Sequence, residues 1–280
     1  MTTLGVLYPG FAAQDDYPTG ASLLRPAVEV VVVHTAVDEN TNTVEDARRT
    51  GEIARLIDGV HELRTLCAAL HRRVDAVLWA CTAGSFVLGL EGAREQARLL
   101  AEAAGVPAVS TSLAFVEAAA ALGIRRVAIG ATYPPDEAGL FVEFLEQAGI
   151  EVLSMRSAGI DDGSGGALLT ADEVVAFAIG ADDAAADAIL LPDTAVRSMR
   201  LLDRLEVAAG KPVLTANQVT IWQGLRLAGA YEPQDGLGSL FRVPAAVSAA
   251  VSAADPARAP APAADPARPP APAAAEVARP

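Results

Sequence analysis

Short apolar runs alternate along the chain with longer segments in which apolar residues recur every three to four positions. The short runs predict strands at Leu4–Tyr8, Val28–Val33, Ala76–Ala80, Ala108–Ser110, Val127–Ile129, Val152–Met155, Ala188–Leu191 and Val213–Thr215. The longer segments predict helices at Val44–His71, Gly92–Ala104, Leu113–Leu122, Glu137–Ala148, Ala171–Ile179, Val196–Ala209 and Gln218–Leu227. This alternation is typical of an α/β fold with parallel sheets, which bind ligands at the carboxyl ends of their strands.

Two strand-and-turn segments of the chain occur twice. Residues 75–82 read DAVLWACT, and residues 187–194 read DAILLPDT. Residues 105–112 read GVPAVSTS, and residues 210–217 read GKPVLTAN. Each member of the first pair ends at a small-residue turn, with a cysteine in one copy and an aspartate in the other. The repeat indicates two related halves with a different reactive side chain at the matched strand ends.

A third repeat is a Tyr-Pro pair after a strand, which begins at Tyr8 in one half and at Tyr133 in the other. Together the repeats predict two pseudo-symmetric lobes. Each lobe is expected to be a parallel four-stranded sheet flanked by helices, with the site in the cleft between the lobes. We expect the chain to pass between lobes near residues 112–125 and 215–230.

The composition changes near residue 244, where the two-lobed domain of residues 1–243 is expected to end. Residues 253–262 read AADPARAPAP and return almost unchanged at 263–272. A Pro/Ala tract of this kind has too little apolar content to form a core. We therefore predict a disordered or extended tail over 244–280.

Composition narrows the classes of partner. The formal net charge of -14 argues against nucleic acid and anionic membrane surfaces as partners. No apolar run is long enough for a transmembrane helix, and the N-terminus has no basic leader. With two cysteines in 280 residues a disulfide framework is not expected, so a cytoplasmic protein is predicted. Three histidines and two cysteines show no metal-ligand spacing, and no dinucleotide or P-loop motif is present. We predict chemistry without a metal or a cofactor.

Cys81 is the first candidate for chemistry, because it follows a predicted strand in the sequence ACTAGS. A thiolate there could act as a nucleophile or accept a proton from carbon, although free cysteines are commonly buried as small apolar residues. We assign Cys67, on an amphipathic helix, that packing role. Backbone N–H groups and hydroxyls of the turn are predicted to contact an anionic substrate. These residues are Thr82, Ala83, Gly84 and Ser85.

The matched turn of the second half offers Asp193 as an acid or base, with Thr194 beside it in contact with substrate. The same aspartate could instead cap a helix. Tyr133 is predicted to donate its hydroxyl to a substrate oxygen, with Tyr8 as its counterpart, although a Tyr-Pro pair can also form a rigid turn. Asn217 could bind a carboxylate, cap the last helix, or do both.

The segment Gln14–Tyr17 follows the first strand and contains two aspartates. It is interpreted as a loop, either solvated or closing over the cleft.

Three motifs resemble one known group of enzymes. WACTAGSF at 79–86, ATYP at 131–134 and TANQVTIW at 215–222 are similar to the maleate cis-trans isomerase and arylmalonate decarboxylase branch of the Asp/Glu racemase superfamily. The resemblance covers roughly residues 4–230. It implies two pseudo-symmetric α/β lobes, cofactor-free chemistry at the carbon next to a carboxylate, and a possible homo-oligomer. By position, it makes Cys81 the first-lobe cysteine and Tyr133 the substrate-contacting tyrosine.

The chain differs from this group at three places. Asp193 stands where the second-lobe cysteine would be, and no asparagine occurs in PGFA at 9–12 or in SAGI at 157–160. We expect a cofactor-independent isomerase of a small unsaturated or 2-substituted carboxylic acid, similar to maleate isomerase, in which Cys81 is the nucleophile that adds to an alkene. One alternative is an amino-acid or hydroxy-acid racemase, or an arylmalonate-type decarboxylase, that uses Cys81 and Asp193 as acid and base. A second is a small-acid binding protein without catalysis.

Overall fold

The computed structural model describes residues 1–38 and 41–245, and within these ranges it contains two four-stranded sheets. The strands are β1 (Thr2–Pro9), β2 (Val28–Thr35), β3 (Ala76–Trp79), β4 (Ala108–Ser110), β5 (Arg126–Ala131), β6 (Glu151–Ser157), β7 (Ala188–Leu191) and β8 (Val213–Thr215). All neighbours pair in parallel, in the order β2-β1-β3-β4 in one sheet and β6-β5-β7-β8 in the other. The two orders are equivalent, which confirms the predicted pair of pseudo-symmetric lobes.

Helices connect the strands and cover the sheets. They are α1 (Asp16–Leu23), α2 (Val44–Thr50), α3 (Ile53–Ala69), α4 (Ala83–Phe86), α5 (Gly89–Ala104), α6 (Thr111–Leu122), α7 (Pro135–Gln147), α8 (Ala171–Ala181), α9 (Leu202–Ala209) and α10 (Ala216–Leu227). The single helix predicted over 44–71 is wrong, because it is broken at Gly51 and Glu52. Helix α9 begins six residues later than predicted, and α1 and α4 were not predicted.

Side chains alternate between two faces along each strand, as the pleat requires. In β3, Leu78 belongs to a central cluster that also holds Val127 and Leu214 of the second sheet. Its neighbour Trp79 points to the opposite face, where a separate cluster includes Cys67 of α3. The lobes therefore share one core between their sheets, and Cys67 is buried by packing as predicted.

The acidic segment after β1 is not the loop that the sequence indicated. Helix α1 begins at Asp16, whose buried carboxylate accepts hydrogen bonds from the backbone N–H groups of Ser198 and Met199. The Nδ2 of Asn217 donates to the same carboxylate at 2.9 Å. Asp16 thus joins the first lobe to the second, and its burial is explained by these donors.

The predicted Pro/Ala tail lies outside the described residues, apart from Pro244 and Ala245. In the ranges that the structure does describe, no helix is long and apolar enough to cross a membrane.

Candidate active site

A cleft lies between the lobes at the carboxyl ends of the strands and encloses about 600 Å³ of space that is continuous with solvent. Its position agrees with the general rule for parallel sheets. Seven of the predicted site residues line it. These are Tyr8, Cys81, Thr82, Ala83, Tyr133, Asp193 and Thr194. The other three, Gly84, Ser85 and Asn217, are not among the lining residues.

Cys81 lies two residues beyond β3 and is only 8% exposed. Its Sγ accepts a hydrogen bond from the backbone N–H of Gly84 at 3.2 Å. The pKa of the Cys81 thiol is raised to about 12, mainly by burial and also by the nearby carboxylates of Glu137 and Asp193, while the Gly84 N–H opposes the rise. The resting residue is therefore a neutral thiol, and it must lose its proton before it can act as a nucleophile.

The turn after Cys81 is held by hydroxyl groups. Thr82 Oγ1 donates to the carbonyl of Pro192 in the other lobe, and Ser112 Oγ donates to the carbonyl of Thr82 at 2.7 Å. Ser85 Oγ donates to Ser110 Oγ at 2.7 Å and is completely buried. Its hydroxyl therefore supports the turn from behind and does not face the cleft.

A close backbone contact also fixes this turn. The Nε2 of Gln96 donates to the carbonyls of both Gly51 and Gly84, at 2.7 and 2.8 Å. The break between α2 and α3 at Gly51 brings the two chain segments together. This contact depends on tertiary packing and could not be predicted from the sequence.

Asp193 occupies the position after β7 that corresponds to Cys81 after β3. Its carboxylate accepts hydrogen bonds from Thr132 Oγ1 at 2.5 Å and from the backbone N–H of Ala195 at 2.7 Å. Burial raises the pKa of Asp193, and these two donors oppose the rise. Helix α9 begins only at Leu202, so Asp193 is not its cap.

The two tyrosines bind the backbone of the Asp193 turn. The hydroxyl of Tyr8 donates to the carbonyl of Thr194 at 3.2 Å and accepts from the N–H of Ala13 at 3.0 Å. The hydroxyl of Tyr133 donates to the carbonyl of Pro192 at 2.7 Å. Burial raises the pKa of both tyrosines, so both hydroxyls are neutral donors. In this structure they position the turn, and their contact with substrate stays a prediction.

Asn217 lies inside α10, where it binds Asp16 and the carbonyl of Val196. The cap of that helix is Thr215, which forms a capping box with Gln218. Asn217 therefore serves the contact between the lobes, and the structure places it away from the cleft. The predicted capping role belongs to a neighbour.

Glu137 lines the cleft and was not predicted to belong to the site. It lies in the first turn of α7 and is 2% exposed, and none of the described residues places a donor within hydrogen-bonding distance of its Oε2. Burial raises the pKa of Glu137 to about 8, with added repulsion from Asp193 and Asp46. The sequence did contain a signal for the burial of Glu137, because it lies four residues before Phe141 and therefore on the same face of the helix.

One rim of the cleft comes from the segment before α2 and was also missed. The hydroxyl of Thr41 donates to Asp46, a buried residue that lines the cleft. Asn42 donates from its backbone N–H to the carbonyl of Asp161 at 2.7 Å, and from Nδ2 to the carbonyl of Ile160 at 2.8 Å. These bonds join the first lobe to the second across the mouth of the cleft.

Glu137 provides a prediction about stability and pH. Its folded pKa of about 8 exceeds the ordinary value of 4.5, so the folded state binds the proton more tightly than the unfolded state does. The wild-type free energy of unfolding should therefore fall, relative to Glu137→Gln, as pH rises from about 4.5 to 8, and then level off. We expect a total change of roughly 3–5 kcal/mol.

Urea denaturation of both proteins between pH 5 and 9 measures this difference. Glu143→Gln, an exposed change on the same helix, should show a difference from wild type that is nearly independent of pH. A Glu137→Gln difference that is equally flat would contradict the burial effect described above.

The structure thus has two α/β lobes of equivalent topology, with a thiol and a carboxylate at matched strand ends beside the cleft between them. The sequence profile of the arylmalonate decarboxylase family matches residues 45–241, which is well over half of the chain. The chain therefore belongs to the arylmalonate decarboxylase family, within the branch that also contains maleate isomerases.

Two characterised relatives and one solved structure describe this similarity. The chain is 30% identical over 143 residues to the arylmalonate decarboxylase of Bordetella bronchiseptica, and this match covers 50% of the chain and 60% of the relative. It is 26% identical over 175 residues to the maleate isomerase of Pseudomonas putida, covering 60% and 70%. A mutant arylmalonate decarboxylase solved in a liganded form superimposes with a TM-score of 0.75 at 25% identity, covering 86% of this chain and 99% of that one.

Proposed function

We propose that the protein is a cofactor-independent isomerase of a small unsaturated carboxylic acid, in which Cys81 is the nucleophile. The observation that carries the proposal is the position of the Cys81 thiol, which lines an interlobe cleft opposite a second titratable group, Asp193. The similarity to maleate isomerase and arylmalonate decarboxylase supports chemistry on small acids. Asp193 in place of a second thiol favours a reaction that needs one nucleophile.

The proposed reaction is an addition followed by an elimination. The Cys81 proton moves to the Asp193 carboxylate as Sγ forms a bond to the alkene carbon that is β to the substrate carboxylate. The electron pair of the double bond moves into that carboxylate as an enediolate, which leaves a single bond free to rotate. The enediolate then restores the double bond and expels the thiolate, which recovers its proton from Asp193. Atoms, protons and electrons balance without a co-reactant.

Mass spectrometry tests the covalent step. The protein should be incubated with short unsaturated acids of different charge, maleate among them, and then digested. We expect a peptide containing Cys81 to gain the mass of the acid, while the Cys67 peptide stays unmodified. If no acid of the panel gives either an adduct or turnover, the proposed isomerase is wrong.

A racemase or decarboxylase is the second candidate, and the matched positions of Cys81 and Asp193 favour it. Two groups at opposite strand ends can remove a proton from one face of a carbon and return one to the other face. Reaction in D₂O separates the candidates. Rotation about an alkene leaves deuterium out of the product, whereas racemisation or decarboxylation places it on the α-carbon.

A further inference from the structure

We propose that the substrate of this cleft carries a protonated amine in addition to its carboxylate, and that Glu137 receives the amine. The inference rests on the proposed function, because it takes the cleft as the substrate site. The proposed substrate class differs from the diacids that appear in the names of two relatives, maleate isomerase and arylmalonate decarboxylase.

The charges around the cleft provide the first reason. Asp46 of α2, Glu137 of α7 and Asp193 after β7 all line it, and the described lining residues include no lysine, arginine or histidine. A dicarboxylate would bring two negative charges beside three carboxyl groups and would oppose their ionisation, in a partly enclosed space where repulsion is weakly screened. An ammonium group would instead supply the positive charge that the lining lacks.

Hydrogen bonding singles out Glu137 among the three. Asp193 accepts from Thr132 and from the N–H of Ala195, and Asp46 accepts from Thr41. Among the described residues Glu137 Oε2 has no donor, although its side chain is buried and lines the cleft. Buried carboxyl oxygens in native proteins nearly always have a donor. A ligand N–H group in the cleft would provide one if the carboxyl group turned Oε2 toward it.

The arrangement of the carboxyls favours an organic cation over a metal ion. Throughout the described part of the chain, no three side chains of the types His, Cys, Asp and Glu are close enough to hold a metal together. The carboxyls thus surround the cleft without converging on one point. An ammonium group needs only one carboxylate, and its short carbon chain can leave the substrate carboxylate and alkene beside Cys81.

Because Glu137 can gain or lose a proton, the two substrate classes should change its protonation in opposite directions when they bind. The groups that face Glu137 are Asp46 of α2, Cys81 after β3, Tyr133 after β5 and Asp193 after β7. With its pKa of about 8, Glu137 is largely protonated at pH 7. An incoming ammonium group would favour the carboxylate and release a proton. A dianion would disfavour it and take up protons from solvent.

Two saturated four-carbon acids provide the test, because neither contains an alkene and neither can react with Cys81. Titration calorimetry at pH 7 in two buffers of different ionisation enthalpy should compare 4-aminobutanoate with succinate. We expect 4-aminobutanoate to bind at least about tenfold more tightly and to release protons. Equal or tighter binding of succinate, proton uptake with 4-aminobutanoate, or no measurable binding of 4-aminobutanoate would overturn the proposal.

Glu137→Gln assigns the preference to its side chain. In this variant the ratio of the affinity for 4-aminobutanoate to the affinity for succinate should fall by at least about tenfold. Glu143→Gln, on the exposed face of α7, should keep this ratio within about twofold of wild type. An unchanged ratio in Glu137→Gln refutes the role of this residue. The wild-type comparison alone decides the substrate class if the variant does not fold.

The binding experiment and the adduct experiment test the two proposals separately. Binding of 4-aminobutanoate by a protein that forms no adduct with any unsaturated acid would retain the ligand class and reject the isomerase. Adduct formation on Cys81 with diacids, together with failure to bind 4-aminobutanoate, would do the reverse.

Discussion

Cys81→Ser should lower kcat/KM for the proposed isomerisation by about 10³-fold or more, which corresponds to roughly 4 kcal/mol of lost transition-state stabilisation. The reason is the covalent step, because a serine hydroxyl in the same buried position ionises far less readily than a thiol. The substitution is nearly isosteric and keeps an acceptor for the Gly84 N–H, so the turn itself should be preserved. Steady-state kinetics with the unsaturated acid that gives the best turnover measures the effect.

Cys67→Ser is the matched control for this prediction. Cys67 is the other cysteine of the chain, and its thiol is buried in the outer cluster of the first lobe, away from the cleft lining. Its replacement should leave kcat/KM within about twofold, because Cys67 does not line the cleft and a polar atom buried there affects stability more than chemistry. Activity of Cys81→Ser within tenfold of wild type would show that the thiol is not the nucleophile.

Glu137 also affects Cys81, because the carboxylate of Glu137 is one of the charges that raise the pKa of the Cys81 thiol. The carboxyl groups of the cleft thus bear both on the choice of ligand and on the ionisation of the nucleophile.

The sheets could be predicted from the sequence because their determinants are local. Short runs such as Ala188–Leu191 are buried on both faces and are bounded by turns, so their positions and parallel pairing follow from the pattern. The internal repeat then indicated that Cys81 and Asp193 end equivalent strands, and equivalent strand ends meet at a cleft. This much of the site follows from topology.

The missed features depend on contacts that are distant in sequence. The helical pattern continues through Gly51, and the close contact between Gly51 and Gly84, which accompanies the break, comes from a segment distant in sequence. Glu137 reads as an ordinary acidic first-turn residue until the buried face of α7 is known to border the cleft. Asp16 resembles a loop residue in the sequence, because the N–H groups that bind its carboxylate belong to residues about 180 positions away.

Gly51→Ala should destabilise the protein and disturb the site. A Cβ at this position would lie 1.9 Å from the carbonyl oxygen of Gly84 and 2.8 Å from its carbonyl carbon, and these backbone atoms cannot rotate away. The φ of Gly51 is -82°, so the cost is steric contact and not backbone conformation. We expect a loss of about 2–4 kcal/mol in the free energy of unfolding, similar to overpacking elsewhere in protein cores.

The same clash should also lower the catalytic rate. To relieve it, the Gly84 carbonyl must move, and the N–H of Gly84 that contacts Cys81 Sγ must move with it. Misplacement of a reacting group by a fraction of an ångström lowers rates by roughly 10–100-fold. Urea denaturation and kcat measure the two effects. Gly139→Ala on α7 is the control, since nothing lies within 4 Å of its added Cβ and alanine favours the helix. If Gly51→Ala matches Gly139→Ala in stability and rate, the contact between Gly51 and Gly84 does not hold the Cys81 turn in place.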